Sequence, residues 1–190
     1  WGAWRADLME RAVFLFAPSD LAAERFRRYF PCADVRVIQH GVDFTANRIN
    51  ALTSALLLPK DTYQSIGVLG AIGPVKGARQ LERLVARSRE RKLPFRWVVV
   101  GYMDRQFQPY QTADTLLTVH GQYTPDHMED LLDHYRINLV VFPSAGPETY
   151  CYTLTEAWMA GRPALVPPIG ALYERVQTNG AGWIMQDWCD

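Results

Sequence analysis

Ser65-Ile66-Gly67-Val68-Leu69-Gly70-Ala71-Ile72-Gly73-Pro74-Val75-Lys76-Gly77 runs from an apolar, strand-length stretch into a glycine-rich turn, and a segment of helical period follows over Gly77–Arg91. In that segment Ala78, Leu81, Leu84 and Val85 share one face, while Arg79, Arg83, Arg87 and Arg89 take the rest. A buried strand that turns directly into an amphipathic helix opens a βαβ unit, because parallel strands need a crossover to bring the chain back. The same alternation continues on either side. Strands are expected over Ala12–Phe16, Val35–Gln39, Ser65–Gly70, Trp97–Gly101, Leu116–His120, Ile137–Phe142, Ala164–Val166 and Gly182–Met185. Further helices are expected from Ser19 or Asp20 to about Phe30, from Thr124-Pro125 through Met128, Leu131, Leu132 and Tyr135, and from Tyr152 to Ala160, where Gly161 and Pro163 stop the helix. The pattern predicts an α/β fold, a Rossmann-like parallel sheet with helices on both faces.

A length of 190 residues suits one domain, or one domain and part of another. Lys and Arg total 20 and Asp and Glu total 20, so there is no excess of positive charge of the kind that neutralises nucleic-acid phosphates, and no nucleic-acid partner is expected. Hydrophobic residues make up 48%, enough to fill a core, which excludes a solvated disordered chain. No apolar run is long enough to span a bilayer. Cys32, Cys151 and Cys189 are odd in number and lack C-x-x-C spacing, so neither a disulfide framework nor a zinc site is expected, and a reducing, cytoplasmic setting fits. The start at Trp1-Gly2-Ala3-Trp4 and the end at Asp190, just after Trp183-Ile184-Met185, read as a piece of a longer protein. Phe44–Gln64, which includes Pro59, has no sheet pattern. The predicted organisation is a leading βαβ element over 1–44, a linker over 45–64 and a continuous α/β block over 65–190.

Two constellations can carry chemistry. In the first, the glycines after the strand allow close backbone approach, the following helix offers free N–H groups to an anion, and Lys76 stands at the mouth. It is not a P-loop, since Lys76 precedes Gly77 and no Gly-Lys-Ser/Thr follows. It is not a dinucleotide fingerprint either, because there is no G-x-G-x-x-G and the next strand ends in Gly101 rather than an acid. In the second, Pro147-Glu148-Thr149-Tyr150-Cys151-Tyr152-Thr153-Leu154-Thr155-Glu156 places Glu148 before a helix and Glu156 about one turn inside it. Both can face the crevice beyond a strand's carboxyl end, where a carboxylate accepts sugar hydroxyls and the N–H groups around Tyr150–Thr153 meet a phosphate. Glu82 and Glu90 share that spacing but lie in the arginine-rich helix, beside Arg79 and Arg87, and read as a solvated face.

On these residues the chain resembles the retaining glycosyltransferases of the GT-B fold, family 4 (glycosyl transferases group 1). Val37-Ile38-Gln39-His40-Gly41-Val42-Asp43 is similar to the family's valine-isoleucine-proline-asparagine-glycine-valine-aspartate segment, which closes its first domain. Gly70 through Lys76-Gly77 is similar to its first glycine-rich loop of the second domain. Glu148 to Glu156, continuing Ala157-Trp158-Met159-Ala160-Gly161-Arg162-Pro163, is similar to its E-x7-E element and following turn. The likeness covers nearly the whole chain from Ala17 onward.

The resemblance implies one half of a GT-B fold, the donor-binding part of an enzyme that moves a sugar from a nucleoside-diphosphate sugar to an acceptor hydroxyl. It implies that Glu148 contacts the donor sugar as the catalytic residue, that Lys76, in the loop with Gly73, binds the diphosphate, and that Glu156 binds the ribose. Thr149, Tyr150 and Cys151 then offer backbone N–H groups, and Gly101-Tyr102 with Gly121-Gln122-Tyr123 border the base. No metal and no cofactor are implied, the nucleotide sugar being the substrate; the implied partners are the missing N-terminal acceptor domain and, for the full-length enzyme, the inner face of a membrane. The chain alone is expected to be inactive. Departures from the pattern are Ala71 for an arginine, Thr149-Tyr150-Cys151 for glycine-aromatic-glycine, and Gln39-His40 for proline-asparagine. They point to a divergent branch, and they leave two other readings open: a GT-B-fold sugar-nucleotide epimerase, or a non-catalytic sugar-nucleotide or partner-binding module.

Other residues read as structural. His127 and His134 sit among acids on one helix and are expected at the surface, whereas His120, at a strand's carboxyl end, is the histidine best placed to reach a ligand. Cys151 has no histidine partner in the pattern and is not expected to be a nucleophile. Trp97 and Trp158 lie on apolar faces and are expected in the core.

Overall fold

A computed structural model describes residues 7–9, 11–38, 40, 63–104 and 106–186. In chain order the elements are β1 (Leu15–Ala17), α1 (Asp20–Tyr29), β2 (Val35–Val37), β3 (Gln64–Ile72), α2 (Ala78–Glu90), β4 (Phe95–Met103), β5 (Tyr110–Gln111) and β6 (Leu117–Val119). A 3-10 turn, Pro125–His127, then leads into α3 (Met128–His134), β7 (Ile137–Val141), α4 (Tyr152–Met159), β8 (Ala164–Val166), α5 (Gly170–Asn179) and β9 (Gly182–Ile184).

β3 and β4 pair in parallel from Gln64 opposite Phe95 to Ile72 opposite Met103, and their alternate side chains enter two separate cores. Ile66, Val68 and Ile72 join Trp97 and Val99 on one face, where Ala78, Leu81 and Val85 of α2 cover them. Leu69, Val98 and Val100 point to the other face, covered by Met128 and Leu132 of α3, Leu154, Ala157 and Trp158 of α4, and Leu172 and Val176 of α5. Leu81, Leu132, Leu154 and Leu172 are fully buried; burial of each such side chain stabilises the fold by about 1.5–3 kcal/mol. The large sheet has the order β5-β6-β4-β3-β7-β8-β9, parallel except for β5, and β1 and β2 form a separate parallel pair. The α/β fold, with a mostly parallel sheet covered on both faces, is therefore as expected.

The strand and helix expectations hold with shifted ends. The first strand begins at Leu15 rather than Ala12, the second stops at Val37, and β3 and β4 continue past their glycines to Ile72 and Met103. The helix expected from Thr124-Pro125 opens as a 3-10 turn before α3. Two elements were not expected: β5, a two-residue strand too short to show a period, and α5, a ten-residue helix in which Leu172 and Val176 take the i, i+4 positions of the buried stripe. Of the expected linker, residues 45–62 lie outside the described residues, and Gln64 belongs to β3. Trp97 and Trp158 are both buried; their indole N–H groups donate to Ser88 Oγ at 3.0 Å and to the Ala181 carbonyl at 2.8 Å.

The leading unit meets the large sheet through α5 and the turn before α4. The Leu21 N–H, at the start of α1, donates to Glu174 Oε1 at 2.8 Å, a carboxylate placed where the helix dipole favours it. The Tyr150 hydroxyl donates to the His40 carbonyl at 3.0 Å, and the His40 ring packs edge-on to Tyr150.

Candidate functional site

The candidate residues gather where the parallel strands β6, β4, β3 and β7 end, and the backbone does most of the gathering. Gly77 caps α2 with φ 86°, and a β-carbon there would lie 1.7 Å from the Pro143 carbonyl oxygen. Only glycine allows the loop after β3 to lie so close to the loop after β7. The Ala145 and Gly146 N–H groups then donate to the Val75 carbonyl at 2.9 and 3.2 Å, tying the two loops together. Their side chains follow: Lys76 Nζ lies 3.7 Å from Glu148 Oε1, with Lys76 38% and Glu148 19% exposed. A cation and a carboxylate thus share one partly exposed mouth.

Glu148 is seated from behind. Its carbonyl accepts the Ala171 N–H at 2.9 Å, and Gly170, at φ 68°, leaves no room for a β-carbon against its backbone. Glu156, one turn into α4, accepts the Tyr123 hydroxyl on Oε2 at 2.8 Å. Burial first, and then this carboxylate, hold the Tyr123 phenol far above its ordinary value, so it stays a donor. Tyr123 also lines a cleft of about 340 Å³ with Gly70, Ala71, Gly101, Tyr102 and Gln122. Gly101 lies at the back, so close that a β-carbon on it would meet the Gly70 carbonyl oxygen at 2.0 Å.

Between the two glutamates, Thr149 is exposed and Tyr150 and Cys151 are buried. Cys151 caps α4 in a left-handed conformation, φ 70°, and its thiol lies in the core 3.4 Å from Thr153 Oγ1. Burial, and then the Glu148 charge, push that thiol up and disfavour its thiolate. The structure thus brings together Lys76 with Glu148, Tyr123 with Glu156, and Gly101 with Tyr123. Gly73 stands apart, half-buried beside open space at the end of β3, where its carbonyl accepts the Ala78 N–H at 3.1 Å.

His127 and His134 are exposed, as expected. They nonetheless border, with His120, Gln122 and Tyr123, a second cleft of about 750 Å³. His120 Nδ1 lies 2.9 Å from the Tyr135 hydroxyl, so a neighbour already engages that nitrogen. Sequence reasoning missed Arg175, whose guanidinium reaches the turn between the glutamates. Its signal was present: Leu172, Arg175 and Val176 have i, i+3, i+4 spacing, which sets an arginine on the buried stripe of a helix.

The sequence pattern described as glycosyl transferases group 1 matches residues 54–187. The chain belongs to that family. The group 1 chain is 22% identical over 196 residues to the lipopolysaccharide 1,2-N-acetylglucosaminetransferase of Salmonella typhimurium strain LT2, covering 95% of this chain and 51% of that protein. It superimposes on the crystal structure of Anabaena Alr3699/HepE in complex with UDP and glucose with a TM-score of 0.66, at 17% identity, over 96% of this chain and 52% of that one. Against sucrose-phosphate synthase from Thermosynechococcus elongatus the TM-score is 0.65 at 20% identity, over 97% and 48%. The fold is that of the GT-B glycosyltransferases. The chain spans about half the length of these relatives. Among the described residues no helix is long and apolar enough to cross a membrane.

Proposed function

We propose that this chain is the donor-binding half of a retaining glycosyltransferase that moves a sugar from a nucleoside-diphosphate sugar to an acceptor hydroxyl. The observation that carries the reading is the Lys76–Glu148 pair, a cation and a carboxylate 3.7 Å apart where β3 and β7 end. A nucleotide sugar needs both within one ligand's length, a cation for the diphosphate and an acceptor for sugar hydroxyls. Lys76, carried on the loop that Gly73 opens, binds the diphosphate and stabilises the charge it gains as the sugar–oxygen bond breaks. Glu148 accepts from the donor sugar as the catalytic residue, and the N–H groups of Thr149, Tyr150 and Cys151 serve sugar and phosphate. Glu156 takes the ribose through Oε1, while Gly101 and Tyr123 border the base. The Anabaena HepE structures, which hold UDP, glucose and UDP-glucose, support a nucleotide sugar as the ligand class.

This reading assigns no metal and no cofactor; the positive field comes from Lys76 and the helix N-termini. With Ala71 in the arginine's place, Lys76 carries more of the diphosphate grip. Residues 1–44 are the trailing part of the acceptor-side domain, 45–64 the linker and 65–190 the donor domain. Turnover needs the rest of the acceptor side, in a cytoplasmic enzyme working at the inner face of a membrane. Calorimetry of the folded chain with UDP, GDP, ADP and TDP and their sugars tests the proposal. One nucleotide is expected to bind, and silence across the whole panel overturns the reading.

A further inference from the structure

We propose that Arg175 is a positioning residue, which holds the turn between Glu148 and Glu156 in its ligand-receiving conformation by gripping the Tyr150 and Cys151 carbonyls from behind. The inference rests on the donor-binding reading above and adds to it the device that shapes the turn.

Arg175 Nη1 donates to the Tyr150 carbonyl at 3.0 Å and to the Cys151 carbonyl at 2.9 Å, and Nη2 donates to Thr155 Oγ1 at 2.7 Å. The guanidinium lies 4.1 Å from the Tyr150 ring centroid and 5.0 Å from that of Trp158. Among the described residues it forms no ion pair with a carboxylate. Burial lowers its basicity, so this charge is taken out of water in exchange for carbonyls, a hydroxyl and two aromatic faces. A planar fork can hold two adjacent carbonyls and a hydroxyl at once, and a lysine ammonium cannot match that shape.

The geometry has a direct result for the turn. In a trans peptide the C=O and the next N–H point in opposite directions. With the carbonyls of Tyr150 and Cys151 held toward Arg175, the N–H groups of Cys151 and Tyr152 point away from it, and neither has an acceptor among the described residues. Cys151 also sits at φ 70°, a conformation glycine adopts freely and a residue with a β-carbon resists. The clamp, together with the Leu154 N–H that donates to the same Cys151 carbonyl at 3.2 Å, helps to keep a cysteine there. Such a residue persists where its surroundings over-determine it.

The experiment uses the 190-residue chain, with binding measured by calorimetry for UDP, GDP, ADP and TDP and for the nucleoside matching whichever diphosphate binds. Arg175→Met keeps the stem against Tyr150 and Trp158 and removes the fork. Its diphosphate affinity is expected to fall about tenfold, the order expected for losing an aligned N–H to an anion, while nucleoside affinity changes less than about twofold. Cys151→Gly in the Arg175→Met background is expected to recover most of the loss, since glycine holds that φ unaided. If Arg175→Met does not fold, Arg175→Lys is read in the same way. Unchanged diphosphate affinity, or an equal loss for nucleoside and diphosphate, overturns the positioning role and leaves the donor-binding reading standing. A wild-type chain that binds no nucleotide overturns both.

Discussion

Tyr123 donates its hydroxyl hydrogen bond to Glu156 Oε2 at 2.8 Å, joining the loop after β6 to the second turn of α4. The bond occupies one carboxylate oxygen and leaves Oε1 without a partner among the described residues. Glu156 is thereby held in one orientation with a single acceptor on offer. Tyr123→Phe is expected to destabilise the fold by about 1.5 kcal/mol, the low end for a hydrogen bond to a charged group. It should also weaken nucleoside diphosphate binding about fivefold, because Glu156 then has to be oriented on binding. Denaturant melts and calorimetry check the pair of effects, and a Tyr123→Phe/Glu156→Gln double mutant should lose less than the sum of the singles.

Lys76 and Glu148 form a partly exposed pair, and partly exposed pairs contribute little to stability. Lys76→Met is therefore expected to leave the thermal midpoint nearly unchanged while reducing nucleoside diphosphate affinity by about tenfold or more, as one charge-assisted contact to phosphate is lost. Raising the salt concentration should narrow the gap between wild type and variant. A variant that loses stability but keeps its affinity contradicts this assignment.

Gly77→Ala tests the close approach of the loops. Its β-carbon would meet the Pro143 carbonyl oxygen at 1.7 Å in a left-handed conformation. The combined clash and backbone strain should cost about 3 kcal/mol or more, read from the denaturant midpoint.

The chain should lose stability as the pH rises from about 9. Tyr123 and Cys151 both titrate above their ordinary values of 10.0 and 9.0 in the folded state. Through that alkaline range the folded chain retains protons that the unfolded chain releases, so unfolding becomes easier with each increment of pH; below it the stabilisation is intact. Tyr123→Phe should flatten part of the slope. At pH 8 the exposed Cys32 should react with a thiol reagent while the buried Cys151 stays protected until the chain unfolds, which peptide mapping distinguishes.

What the sequence discloses depends on how far each signal reaches along the chain. Continuous apolar runs such as Ile66–Leu69 and Trp97–Val100 disclosed the parallel sheet, because burial on both faces leaves no polar alternation. Glu148 and Glu156 were visible because one local turn carries both. For Arg175 the spacing with Leu172 and Val176 marks a buried position but not a role, since its partners lie 20 to 25 residues upstream and hydrogen bonds to backbone carbonyls leave no mark on the residues that accept them. The bond from Tyr123 to Glu156 escaped for a related reason: both residues were expected at the site, but their contact is made only once β6 and α4 are placed on the sheet. β5 has two residues, fewer than any period needs.

That short strand has its own result. On one margin the seven-stranded sheet ends in Tyr110–Gln111, antiparallel to its neighbour, and on the other in the three residues Gly182–Ile184. Margins this narrow expose few unpaired backbone groups for a second chain to add a strand to. A second chain therefore finds little backbone along this sheet's margins against which to extend a strand.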